Sequence, residues 1–259
     1  MEGALLYLNR KLEWALLLGL NYQQNLFRVK NRIAVIGTGR SGTNFFAAVL
    51  NELGRDVQHE KFGEDGIASW CLVADCDDAV YGPGGNQLDS NFIIGHQLRH
   101  PLEAIGSLTT FNRSSWRFIS ENSPSIENMP RRILHRAMRH WLDWNERAGE
   151  KASFTWRLED LKNGAPEIMM ELGWDVSTEE WKAAYERAKH GANTGSERAS
   201  NALFNPKVGP ITQWRRYKYT KTTELVSWEE LNNIDPGLTA EIMSYAASKG
   251  YSAKAILNS

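Results

Sequence analysis

The chain has 259 residues, 42% of them hydrophobic and 24% charged, the proportions of an ordinary globular protein. Thirty basic and thirty-one acidic residues nearly cancel, so no overall positive field points to nucleic acid, and any anion site has to be assembled locally. Two cysteines, Cys71 and Cys76, exclude a disulfide framework and make a poor metal site; they read as small apolar residues in a reducing compartment.

The first predicted element is a leading helix. Leu5, Leu8, Leu12, Leu16 and Leu20 fall near helical spacing, but the apolar run Trp14–Leu20 is far shorter than the ~20 residues that span a bilayer. A packed amphipathic helix in a cytoplasmic protein is expected, with no membrane span. Arg32–Ile36 (RIAVI) has the form of a buried strand. Phe45–Leu53 carries apolar residues at helical spacing and stops at Gly54. Arg55–His59 reads as a second short strand, Gly66–Ala74 as a helix, and Tyr81–Gly85 (YGPGG) as a loop. Asn91–Leu98 (NFIIGHQL) is the next strand, and Pro101 opens a helix where proline is tolerated.

Residues 113–129 are polar and read as a surface excursion. Arg131–Ala148 is the strongest predicted helix, with Leu134, Met138, Trp141, Leu142 and Ala148 along one side. Ser153–Leu158 reads as a strand, followed by helices near 165–172 and 178–190. Residues 191–213, rich in Gly, Asn, Ser and Pro, read as a long functional loop, and a final helix covers 237–249. Strands alternating with helices predict one α/β domain over 1–259, with a central parallel sheet covered by helices on both faces.

Chemistry concentrates at Gly37–Phe46 (GTGRSGTNFF), between the first strand and the helix after it. There, backbone N–H groups and a helix N-terminus converge on an anion, and Gly37, Gly39 and Gly42 let the chain turn tightly. Gly37 and Gly42 keep the spacing of the nucleotide triphosphatase loop G-x-x-x-x-G-K-S/T. However, Thr43 stands in the lysine position and Asn44 follows it, so the residues that would serve the β- and γ-phosphates and magnesium are missing. Arg40 supplies a cation earlier in the loop, and its planar fork suits phosphate or sulfate.

The string GTGRSGT resembles the 5′-phosphosulfate loop of the PAPS-dependent sulfotransferases, which carry K/R-S-G-T. Arg99, with Ser107 eight residues on in RHPLEAIGS, resembles that family's 3′-phosphate site. Arg157–Leu161 (RLEDL) is similar to R-Y-E-D-L, with Leu158 in place of the tyrosine and Asp160 expected to start the next helix. Lys207–Trp214 (KVGPITQW) is similar to the late loop over the 3′ side of the nucleotide. Lys207 and Gly209 match it, and Val208 replaces a second basic residue. The resemblance implies a P-loop-type three-layer fold and PAPS (3′-phosphoadenosine 5′-phosphosulfate) as donor, with no metal required. It also implies contacts to the donor from Gly39, Arg40, Ser41, Gly42, Thr43, Asn44, Phe45, Arg99, Ser107, Lys207 and Gly209.

In a parallel sheet, ligand chemistry gathers at the carboxyl ends of the strands. His59 and Glu60 sit at such an end and are the candidates for the base that takes the acceptor's proton. The resemblance favours Glu60, since several carbohydrate sulfotransferases use a glutamate from about this region, and His59 is the runner-up; strand alternation predicts that one of the two faces the cleft. Arg40 is the candidate for stabilising the leaving charge. His96 reads as a buried structural residue, and His135 and His140 as surface or packing residues. Arg113, Arg117, Arg131, Arg132, Arg136 and Arg139, and a second group at Arg215, Arg216, Lys218 and Lys221, offer surfaces for an anionic or glycan acceptor, or else solvated faces. The resemblance implies in-line transfer of a sulfuryl group to a hydroxyl or amine, and the expected acceptor is a carbohydrate or a small hydroxylated molecule. An atypical P-loop kinase or NTPase and an inactive nucleotide- or glycan-binding module are the alternatives.

Overall fold

The fold is given by a computed structural model that describes residues 31–78, 81–130, 132–192 and 226–251. The leading leucine helix, the loop with Lys207 and Gly209, Arg131 and the second basic group lie outside these residues. Contacts divide the chain into two compact units, Met1–Asn31 and Arg32–Ser259, and every described element belongs to the second.

Strand β1 (Arg32–Ile36) is the keel of the fold. Ile33, Ala34, Val35 and Ile36 are all fully buried, as expected for a strand covered on both faces of a parallel sheet. It lies at the centre of a five-stranded, all-parallel sheet of order β2-β3-β1-β4-β5. The other strands are β2 (Val57–His59), β3 (Gly66–Ala68), β4 (Phe92–Leu98) and β5 (Phe154–Arg157). Alternation along β1 divides its side chains between two cores. Ile33 and Val35 pack with Phe46 and Leu50 of α1 (Thr43–Glu52) and with Trp181 of α7 (Thr178–Ala192). Ala34 and Ile36 pack on the opposite face, with Leu102 and Ile105 of α2 (Pro101–Leu108) and Met138 and Trp141 of α5 (Ile133–Lys151). The result is the predicted α/β three-layer arrangement.

Three expectations change. Gly66–Ala74 is not a helix: it is β3 followed by a 3₁₀ turn, Trp70–Val73. A short apolar run buried throughout carries no periodicity to separate the two forms, and here pairing of Ile67 between β1 and β2 decides. Residues 113–129 are not an excursion but α3 (Arg113–Asn122) and α4 (Pro124–Glu127). Trp116, Phe118 and Ile119 of α3 are buried, and its many polar residues are the outer face of an amphipathic helix. The C-terminal helix α9 (Pro236–Ser248) is preceded by α8 (Trp228–Ile234). The signal for α8 is the capping box of Ser227 and Glu230.

β2 and β3 are parallel neighbours joined only by residues 60–65, whereas such pairs ordinarily need a crossover of about a dozen residues or more. Two aspartates hold the link. Asp65 Oδ2 accepts from the Asp56 N–H at 2.8 Å, and Asp56 Oδ2 accepts from the Glu64 N–H at 2.8 Å. Among the described residues no helix is long and apolar enough to cross a membrane.

Candidate functional site

The turn from β1 into α1 ends in a bare helix terminus. Gly42 is the N-cap, no side chain caps the helix, and its first turn contains no acidic residue. The first N–H groups of a helix have no partner within it, and they lie at the positive end of its dipole. Arg40 and Gly42 both adopt left-handed backbone, with φ of 69° and 89°. Of the three glycines, Gly42 is the one whose φ requires glycine. Gly37 and Gly39 are set by packing instead: a Cβ at Gly39 would lie 2.5 Å from the Phe111 ring, and one at Gly37 would meet the Gln97 carbonyl oxygen.

Gln97, fully buried on β4, pins the loop from beneath. Its Nε2 donates to the Ser41 carbonyl at 2.8 Å, while its Oε1 accepts from Trp156 Nε1 at 3.2 Å. Sequence reasoning missed Gln97, although a glutamine inside an apolar strand is a visible anomaly. The hydroxyls of Thr38 and Ser41 are buried and bond to no described residue. The uncapped helix terminus itself is what suits an anionic ligand.

Two guanidiniums flank the turn. Arg40 donates to Thr110 Oγ1 at 3.1 Å and lies over the Phe111 ring, 4.9 Å from its centre. Arg99, just past β4, donates to the Arg40 carbonyl at 3.2 Å and holds Glu103 Oε2 through two bonds of 2.9 and 3.0 Å. The cleft walls push the Arg40 pKa below its usual value by desolvation, and the neighbouring charge of Arg99 lowers it further. Like charges held together in a cleft are relieved by a bound anion.

His59 and Glu60 complete the site, and alternation fails there: both side chains line the cleft. The reason is that β2 ends at His59, and Glu60 turns with a φ of 61° into the short link to β3. His59 Nε2 lies 3.4 Å from Thr43 Oγ1, and Nδ1 lies 4.0 Å from Glu60 Oε2. Glu60 Oε1 accepts from Trp70 Nε1 at 3.2 Å. Burial pushes the Glu60 pKa above the ordinary carboxylate value, against the opposing effects of the Trp70 hydrogen bond and Arg40. Burial also pushes the His59 pKa down to about 4. Near neutral pH the histidine is therefore uncharged and weakly basic, and the carboxylate is the stronger proton acceptor.

One cavity of about 500 Å³ gathers Arg40, Gly42, Thr43, Asn44, Phe45, His59, Glu60, Arg99 and Ser107. Its remaining walls are Leu158, from the RLEDL segment, and Trp70, Phe111, Tyr185 and Lys189, which reach it from distant parts of the chain and carried no local signal. Tyr185 meets Phe45 edge to face at 5.1 Å. Gly39 and Ser41 are buried behind this surface, so they shape the loop rather than line the cavity.

The other sequence candidates fall away from the cleft. Asp160 does not start a helix; it receives two bonds from Arg157, at 2.6 and 3.0 Å. Its neighbour Glu159 anchors the start of α2 by accepting from the His100 N–H at 2.8 Å. His96 is buried 3.0 Å from Asn145 Oδ1, His140 is fully buried among tryptophans, and His135 pairs with Asp235 at 2.9 Å. The arginines of α3 and α5 are largely neutralised. Arg117 faces Glu121 at 3.7 Å, Arg139 lies between Asp143 and Glu241, and Arg136 stacks on Trp116. No protein-family model matches the chain, and no curated protein matches it.

Proposed function

We propose that this protein is a sulfotransferase that moves a sulfuryl group from PAPS to a hydroxyl of its acceptor. The observation that carries the reading is the convergence of a lysine-free anion loop, two arginines and a carboxylate of raised pKa on one cleft. Its volume, about 500 Å³, lies within the range of small-molecule and cofactor sites. The bare N-terminus of α1 and Arg40 suit the 5′-phosphosulfate, and Arg99 with Ser107 suits the 3′-phosphate. Phe45 and Tyr185 form an aromatic wall suited to a base.

In the reaction, the acceptor oxygen attacks sulfur in line. The new O–S bond forms as the bond from sulfur to the bridging phosphate oxygen breaks, and adenosine 3′,5′-bisphosphate leaves. Glu60 receives the acceptor's proton, while Arg40 and the loop amides neutralise the charge that builds on the leaving oxygen. Trp70 holds Glu60 in orientation. Cys71 and Cys76 are both free, in keeping with a reducing, cytoplasmic compartment, which forms part of the proposal.

Calorimetry tests this reading against a P-loop kinase. Adenosine 3′,5′-bisphosphate is expected to bind tightly without magnesium, and ATP much more weakly. A magnesium-dependent preference for ATP would overturn the assignment. Binding of the bisphosphate with no transfer of labelled sulfate to any acceptor of a broad panel would instead leave a binding module.

A further inference from the structure

Beside the cleft, and sharing Arg40 and Glu60 with it, opens a second chamber of about 380 Å³. Trp70, Tyr81 and Phe111 form its aromatic walls, and Thr110, Asn112 and Ser115 its polar ones. Tyr81 meets Trp70 edge to face and Phe111 lies tilted to it, with ring centres 5.2 and 5.5 Å from the indole. The polar side is already organised. The Tyr81 hydroxyl lies 2.6 Å from Ser115 Oγ and 3.0 Å from Ser114 Oγ, and it donates to Asn112 Oδ1 at 3.2 Å. Asn112 Oδ1 also accepts from the Ser115 N–H at 2.9 Å.

We infer that this chamber is the acceptor subsite and that it takes an uncharged, hydroxyl-rich ring, a neutral sugar rather than an anionic one. The inference rests on the sulfotransferase reading and narrows it. Aromatic faces receive the C–H faces of a pyranose, and a fixed cluster of hydroxyl and amide groups matches its O–H groups. Among the described residues the only charged side chains on its walls are Arg40 and Glu60. Arg40 lines both cavities and donates to Thr110 on the chamber wall. Glu60 stands at the junction with the donor cleft, where it meets the hydroxyl to be sulfated and repels a carboxylate or sulfate on the ring. Of the arginines of α3 and α5 near this side, Arg117 and Arg139 are tied into ion pairs and Arg136 is stacked on tryptophan, while Arg113 is exposed outside the chamber's lining.

The test is binding of neutral methyl hexopyranosides and N-acetylhexosaminides, against the matching uronic acids, to full-length protein saturated with adenosine 3′,5′-bisphosphate. At low ionic strength at least one neutral glycoside is expected to bind saturably, and its uronic acid at least tenfold more weakly. Tyr81→Phe and Asn112→Ser, the latter keeping a residue able to cap α3, are each expected to weaken that glycoside at least fivefold. Bisphosphate affinity, unchanged in both variants, reports that they fold. Preference for the uronic acid, absence of saturable binding across the neutral panel, or indifference to both substitutions overturns the inference while bisphosphate binding stands. Failure of the wild-type protein to bind the bisphosphate overturns the sulfotransferase reading, and the acceptor assignment with it.

Discussion

The two rims of the cleft are built by different means. The donor rim, from β1 and β4, is built around a helix terminus: a buried strand, a turn in which Arg40 and Gly42 are left-handed, and a helix with no side-chain cap. The rim from β2 and β3 is irregular. It depends on a link too short for an ordinary crossover, a left-handed glutamate, and an indole reaching back from the 3₁₀ turn. Backbone in such sparsely populated regions costs about 1–3 kcal/mol and persists only where surrounding contacts hold it. Both rims thus hold one left-handed non-glycine residue, but the donor rim uses it to shape an anion loop and the other to aim a single carboxylate. Binding and chemistry are therefore separable by mutation.

The sharpest way to break that division is Glu60→Gln. The substitution keeps an acceptor for the Trp70 N–H but removes the proton acceptor, and loss of a general base costs about 10²–10⁴-fold in rate. Transfer of labelled sulfate should fall by that factor, with bisphosphate affinity preserved. An unchanged rate would remove Glu60 from the base role and turn attention to His59.

The next effect belongs to the donor rim. Arg99→Ala should weaken adenosine 3′,5′-bisphosphate by about 10- to 100-fold, since hydrogen bonds to a charged group are worth about 1.5–3 kcal/mol. AMP, which has no 3′-phosphate, should be nearly unaffected. Because Arg99 also donates to the Arg40 carbonyl, equal losses for both nucleotides would reassign it from phosphate ligand to support of the loop. Isothermal titration of both ligands separates the two roles.

What the sequence disclosed follows the same division. β1, the glycine turn, α1, and Arg99 with Ser107 were legible because their geometry is local: apolar strand, turn chemistry, helical period. That the sheet is parallel followed from alternating elements, but its strand order, with β3 inserted beside β2, did not. β3 is not separable from a helix in the sequence because Gly66–Ala74 is buried throughout and only pairing with β1 and β2 distinguishes the two. The orientation of both His59 and Glu60 toward the cleft escaped alternation because the backbone changes hand at Glu60. Trp70, Phe111 and Tyr185 are brought in by tertiary packing, which a linear pattern does not encode. The paired arginines of α3 and α5 likewise looked available only while their carboxylate partners were out of view.

The smallest effect is a displacement along the pH axis, and it distinguishes the two candidate bases. Transfer requires the base unprotonated, so the rate falls as pH drops through its pKa in the complex. Burial holds Glu60 above the ordinary carboxylate value, whereas His59 is pushed down to about 4. An acid limb above the ordinary glutamate range therefore marks Glu60, and one near 4 marks His59. The Trp70 N–H acts on Glu60 in the opposite direction to burial, stabilising the carboxylate. Trp70→Phe removes that donor while keeping an aromatic ring, so the Glu60 pKa should rise and the acid limb should move to higher pH. A limb that stays in place in Trp70→Phe, in protein whose bisphosphate affinity shows it folded, would mean that the titrating base is not the carboxylate that the indole holds.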